Sequence, residues 1–238
     1  MKRGSLFLAL WMCSWIAACG SGDTENTDVC PECVMTPEAV AADDGMPTGV
    51  YKGVLFGGGV SGNVKATIAT DQSTGTCQIK TGGQTYNSSD FTASITRAVG
   101  MTYTFSNSNF TLILVLDDAG KVASVTLTLS GNDIGASVAK EQSTVLVECF
   151  EGTWTQTVGG GDHGIWNVAI HGSRFVGGAT GPDGSWSVIT GTMDGLQFIV
   201  DNPEGQTGTG SLSKDRKTVS GTWEWPGASG TTEGQRTL

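Results

Sequence analysis

Only two histidines occur, His163 and His171, so chemistry that needs an imidazole base or ligand has to use them. They bracket a single apolar-periodic stretch. Eight strand residues at about 3.3 Å each would hold them about 26 Å apart, too far to share a metal or a substrate atom. Cys30-Pro31-Glu32-Cys33 has the spacing of a redox thiol pair, but that chemistry needs the pair to open a helix after a strand. Neither element adjoins it, and a zinc site would require two further ligands. Gly57-x-Gly59-x-x-Gly62 and Gly159-x-Gly161-x-x-Gly164 match the dinucleotide fingerprint. Each runs into a period-two stretch instead of a helix, so both are expected to be hairpin loops. Asp117 and Asp118 are adjacent and point to opposite faces, which suits a turn better than paired acid and base work. No Gly-x-Ser-x-Gly, no His-Glu-x-x-His and no cysteine with a local base is present. No catalytic residue, metal ligand or cofactor site is therefore assigned.

Tryptophan is the one residue type with functional colour. Trp154, Trp166, Trp186, Trp223 and Trp225 all fall after residue 150, and none lies between 49 and 150. Alternation places Trp154, Trp166, Trp186 and Trp223 on one side of their strands, whereas Trp225 ends its strand before Pro226. Two readings follow. The four rings fill a core, or they line a mouth for an apolar or sugar ligand, an indole being a flat apolar face with a polar N–H at its edge.

The elements that must carry these residues are strands. Trp166, Val168 and Ile170 share a face, as do Trp186 and Val188, then Leu196, Phe198 and Val200, then Val219, Gly221 and Trp223. Turn pairs separate them: Asp183-Gly184, Asp194-Gly195, Asn202-Pro203 and Lys214-Asp215. Gly49-Val50-Tyr51, a triple glycine, then Val64, Ala66 and Ile68 recur as Gly152-Thr153-Trp154, a triple glycine, then Trp166, Val168 and Ile170. This recurrence divides the body into two copies of one unit, 49–150 and 151–238. The expected fold is all-β, with two tandem antiparallel meanders, each curling into a small up-and-down barrel because closure removes exposed edges. Asp133 to Glu141 is the single weak helical stretch in this body.

The amino end reads as an address. Lys2 and Arg3 precede an apolar run from Leu6 to Ala18, shorter than the about 20 residues of a bilayer span. Ile16-Ala17-Ala18-Cys19 resembles the lipobox of bacterial lipoprotein precursors. That resemblance implies a cleaved signal peptide over 1–18, lipidation of Cys19 and a membrane held through acyl chains. Gly20 stands where Asp would signal inner-membrane retention in enterobacterial lipoproteins, so the resemblance favours the outer membrane. Residues 19–48 carry seven acidic and no basic side chains, and are expected to form a disordered acidic tether. A short helical turn over 37–42 is compatible with it. In an oxidising envelope the remaining cysteines are expected to bond as Cys30 with Cys33 and Cys77 with Cys149.

The net charge of −10 excludes a basic nucleic-acid face. Gly is 36 of 238 residues, about twice its usual share, which suits turns and sharply coiled strands. The Gly-Thr-Trp segments of the second copy resemble avidin-like and other calycin barrels, and more closely the Gly/Thr/Trp-rich β repeats of bacterial envelope lipoproteins. The expected function is a non-enzymatic structural or interaction role on the envelope, with an envelope protein as partner. The alternative is a barrel that binds a small apolar or sugar ligand through the tryptophans of the second copy. An enzyme or enzyme inhibitor is third.

Overall fold

A computed structural model describes residue 30 and residues 33–96, 100–202 and 205–238. The signal peptide and Cys19 lie outside these described residues. From Gly49 onward the described elements are strands, because apolar and polar residues alternate and Gly, Asn or Asp interrupts them every few residues.

The first lobe comprises β1 (Gly49–Phe56), β2 (Gly62–Ile68), β3 (Gly75–Thr81), β4 (Gln84–Asn87), β5 (Asp90–Thr96), β6 (Gly100–Ser106), β7 (Phe110–Leu116), β8 (Val122–Leu129) and β9 (Asn132–Lys140). All pairs are antiparallel, and the first strand lies between β2 and the last, β9. The barrel expected here is not closed: β4 and β5 are the two free edges. The reason lies in the link between them. Ser88 N–H donates to Cys77 O and Ser89 N–H donates to Ser106 O, so the chain steps from one edge to the other without building a ladder. The concave side is packed by Tyr51, Tyr103, Phe105, Leu112, Leu114 and Leu116, all at 0% exposure. The stretch from Asp133 to Glu141 is not helix: it is strand β9 as far as Lys140, and Glu141 follows the strand.

The second lobe is a closed eight-stranded antiparallel barrel: β10 (Val147–Val158), β11 (His163–His171), β12 (Arg174–Thr180), β13 (Trp186–Asp194), β14 (Gln197–Asp201), β15 (Thr207–Leu212), β16 (Thr218–Trp225) and β17 (Ala228–Arg236). β17 returns to pair with β10, placing Phe150 opposite Arg236. The glycine-rich segments after β1 and β10 are hairpin loops, with Gly57, Gly58, Gly59, Gly159 and Gly161 at positive φ that a side chain would resist.

The lobe boundary is earlier than the sequence repeat suggests. β10 already begins at Val147, so Val147 and Cys149 belong to the second lobe and the division falls within 141–146. The two hairpins also differ in register. Gly49 faces Ile68, but Gly152 faces Trp166 and not Ile170, the residue equivalent by repetition.

The lobes pack through the outer faces of β1 and β9 against β10 and β11, burying Val54, Phe56, Val147, Cys149, Ala169 and Leu238. Phe56 lies on Gly178, and Thr180 Oγ1 accepts from Gly57 N–H at 3.3 Å. Ser61 Oγ is 3.0 Å from the Glu151 carboxylate and 2.8 Å from Asn167 Oδ1.

Residues 33–48 are docked, which shortens the expected tether. Glu38 pairs with Lys52 at 2.8 Å and Lys65 at 2.6 Å, and Lys52 pairs with the fully buried Glu141 at 2.8 Å. A 3-10 turn forms at Ala41–Asp43. Lys140 Nζ donates to the carbonyls of Asp43 and Met46, and Asp44 accepts from Ser143. The acidic residues of this segment thus find cations and amides on the first lobe and its connector, which outweighs their mutual repulsion.

Candidate functional site

The barrel is hollow. Its lumen measures about 610 Å³, within the roughly 300–1,000 Å³ of small-ligand sites. Inward positions carry aliphatic side chains such as Val168, Ile170, Ile189 and Leu212, together with large rings and glycines. Large rings come from Trp154, Trp166, Phe175, Phe198 and Trp223, and glycines stand beside them on neighbouring strands. A β-carbon at Gly152 would come within 2.4 Å of the Trp166 indole, one at Gly191 within 2.3 Å of Phe175, one at Gly210 within 2.2 Å of Phe198, and one at Gly230 within 2.8 Å of Trp223. Each ring therefore lies flat against a stretch of wall that has no side chain. The rings are held against the wall, and a cavity remains between them.

Exposure records the same difference. Val168, Met193 and Val219, deep in the second lobe, retain 8–9% exposure where Leu112, Leu114 and Leu116 of the first lobe retain none. Trp154 and Trp223 meet edge to face, with centroids 5.6 Å apart. Trp154 Nε1 donates to Thr180 O at 3.3 Å and Trp166 Nε1 to Thr153 O at 3.0 Å. Trp223 Nε1 and Gln206 Oε1 are buried without a partner.

One end of the lumen is shut. Glu148 and Arg236, at 3% and 0% exposure, pair at 3.2 Å, and Glu148 also accepts from Arg216 Nε at 2.9 Å. Arg236 Nη2 donates to Val34 O at 2.6 Å and its Nε to Leu238 O at 2.9 Å, so the docked amino-terminal segment seals this base. Phe150 forms the apolar floor above it. The other end is open, framed by Gln156, Asp162, Asp183, Ser185, Gln206 and Trp225. Ser185 hydrogen bonds hold the Asp183 carboxyl below the usual range, so the rim is negative at neutral pH. No Lys or Arg lines the lumen among the described residues.

Of the four expected tryptophans, Trp154, Trp166 and Trp223 meet around the lumen. Trp186 also borders the pocket at its mouth, but from the outer side of its strand. It pairs with Thr180, whose side chain turns to the first lobe, so Trp186 lies on the outer parity with Val188. The residue is 49% exposed and its ring packs on Phe56, with centroids 5.3 Å apart. Ser187, Ile189 and Met193 are the inward residues of that strand. Gln206 and Trp225 complete the mouth; Gln206 was not legible as a site residue because it follows a turn and breaks no pattern.

Cys30 and Cys33 form a disulfide, with Cα atoms 5.3 Å apart. The expected Cys77–Cys149 bond is absent. Cys77 belongs to the first lobe's core and Cys149 to the interface, where its thiol donates to Gly53 O at 3.3 Å. Burial pushes both thiols up to about 12. His163 and His171 sit at opposite ends of β11, and Asp117 closes a turn through Ala119 and Lys121 N–H groups, so neither pair forms a site. Among the described residues, no group of three or more His, Cys, Asp or Glu is placed to hold a metal ion. No family model matches this chain, and no curated protein matches it significantly.

Proposed function

We propose that the second lobe is a receptor for a small apolar ligand, carried on a lipid-anchored, non-enzymatic protein of the bacterial envelope. The observation that carries the binding role is the open-mouthed lumen of about 610 Å³, walled by aliphatic and aromatic side chains. A purely structural barrel of this size fills its interior, since packed cores leave few voids larger than a water molecule. The lipobox residues Ile16 to Cys19 support the anchor, and Gly20 supports the outer membrane.

Two measurements test this. Titration of the tryptophan emission with an apolar fluorophore such as 1-aminoanthracene is expected to saturate with one site. Val219→Phe, which fills space instead of removing contacts, is expected to abolish that site while keeping or raising stability by about 0.5–2 kcal/mol. A parent that binds no apolar probe overturns the reading. Mass spectrometry of the purified amino terminus tests the anchor, which an unmodified Cys19 or a different start overturns.

A structural or surface-interaction role is the second reading. The outer face of β12 to β14 favours it, exposing Val176, Val188 and Ile199. Solvent-facing apolar side chains on adjacent strands suit a partner protein of the envelope.

A further inference from the structure

Apolar walls specify the body of a ligand and say little about its head, but the upper lumen carries two buried polar atoms without partners, Trp223 Nε1 and Gln206 Oε1. Buried donors and acceptors are normally satisfied, and leaving one unpaired costs free energy. The contrast within the lumen is direct, because Trp154 and Trp166 spend their N–H groups on wall carbonyls and Trp223 does not.

The two atoms come from neighbouring strands. Thr207 is opposite Glu224 and Gly208 opposite Trp223, so Gln206 lies one step nearer the mouth, on the same inward parity as Trp223 and diagonal to it. One is a donor only and the other an acceptor only. A hydroxyl is the smallest group that answers both, accepting from the indole N–H and donating to the amide oxygen. A carboxylate can accept from Trp223 but cannot donate to Gln206, and it would meet Asp162 and Asp183 at the mouth. An ammonium can donate to Gln206 but offers Trp223 no acceptor.

Resting on the ligand-binding reading above, the geometry points to an uncharged amphiphile: an apolar body over Phe150, Ile170 and Leu212, with a terminal hydroxyl between Trp223 and Gln206. The full chain, titrated calorimetrically at neutral pH with decan-1-ol, decanoate and decylammonium, tests this. Decanol is expected to bind about tenfold more tightly than either ion, the worth of one well-made hydrogen bond plus avoided charge burial. Gln206→Leu is expected to weaken decanol by roughly five- to tenfold and to leave decanoate nearly unchanged, whereas Trp223→Phe, which removes a donor open to both, is expected to weaken both. If Trp223→Phe does not fold, Gln206→Leu at the mouth carries the comparison alone. Equal binding of decanol and decanoate, or a preference that survives Gln206→Leu, overturns the hydroxyl assignment while leaving the cavity reading intact. No binding of any probe removes both.

Discussion

Both lobes start with a Gly-x-aromatic strand whose ring points to the concave side, and in both the first strand pairs with the last. Yet Tyr51 is sealed in a packed core and Trp154 faces an open lumen. Two differences produce this. The first lobe places Val64, Ala66, Ile68, Ile79, Leu112, Leu114 and Leu116 on its inner face, whereas the second places Gly152, Gly177, Gly191, Gly210, Gly221, Gly230 and Gly234 there among its aromatics. The first sheet also parts between β4 and β5, so it can draw in around its side chains. The second is hydrogen-bonded all round, and closure fixes its radius by strand number and stagger. Side-chain volume missing from a closed barrel has nowhere to go and remains as a cavity. A hollow interior thus needs glycine on the wall and closure of the sheet together.

The largest expected effect is at the sealed base. Glu148→Ala leaves the guanidinium of Arg236 buried and without its carboxylate, which is expected to cost about 3–5 kcal/mol in chemical denaturation. A loss below about 1 kcal/mol would mean that the base is wet and the lumen open at both ends.

The comparison itself is sharpened by one truncation in each lobe. Leu114→Ala in the filled core is expected to cost about 4 kcal/mol, because it opens a void in close packing. Leu212→Ala, on a wall that already faces empty space, is expected to cost about 2 kcal/mol. Equal losses in denaturant midpoints would erase the distinction between filled and hollow.

Trp186→Ala separates outer from inner tryptophans. Its ring leans on Phe56 from outside, so roughly 1 kcal/mol is expected, and the affinity for an apolar probe should hold. A drop of about 3–5 kcal/mol, the cost of truncating a buried aromatic, would place it in a core instead.

The smallest effect is one of pH. Burial holds the His171 imidazole below its ordinary value, partly opposed by the Glu141 carboxylate. The unfolded chain therefore binds that proton more readily, and the stability contributed is complete above about 6.5 and is lost as pH falls toward the lower folded value. Melting temperature is expected to fall from about pH 7.5 to about pH 5.5, with a smaller fall in His171→Gln. Glu151 acts in the opposite sense at lower pH, since burial raises its carboxyl, so an identical fall in the variant would assign the effect away from His171.

By itself the sequence determined that the chain is strand and where most strands turn, because period-two alternation and Asp-Gly, Asn-Pro or Gly-rich breaks are local signals. It also put Trp154, Trp166 and Trp223 on one face, since their strands carry mostly polar or small residues on the other. Trp186 defeated the same logic. Both faces of β13 hold apolar residues, Trp186 and Val188 on one and Ile189 and Met193 on the other, and only the neighbouring strands choose between them. The cysteine pairing failed for a related reason: Cys77 and Cys149 lie in separate cores, a separation that spacing does not encode. The acidic segment before Gly49 reads as solvated until Lys52, Lys65 and Lys140 converge on it from distant strands. The lumen is likewise a tertiary decision. Glycine content is visible in the chain, but whether a glycine leaves a gap or receives a ring depends on which strand closes on which, and hydrogen-bonded closure of eight strands is a property of the whole lobe.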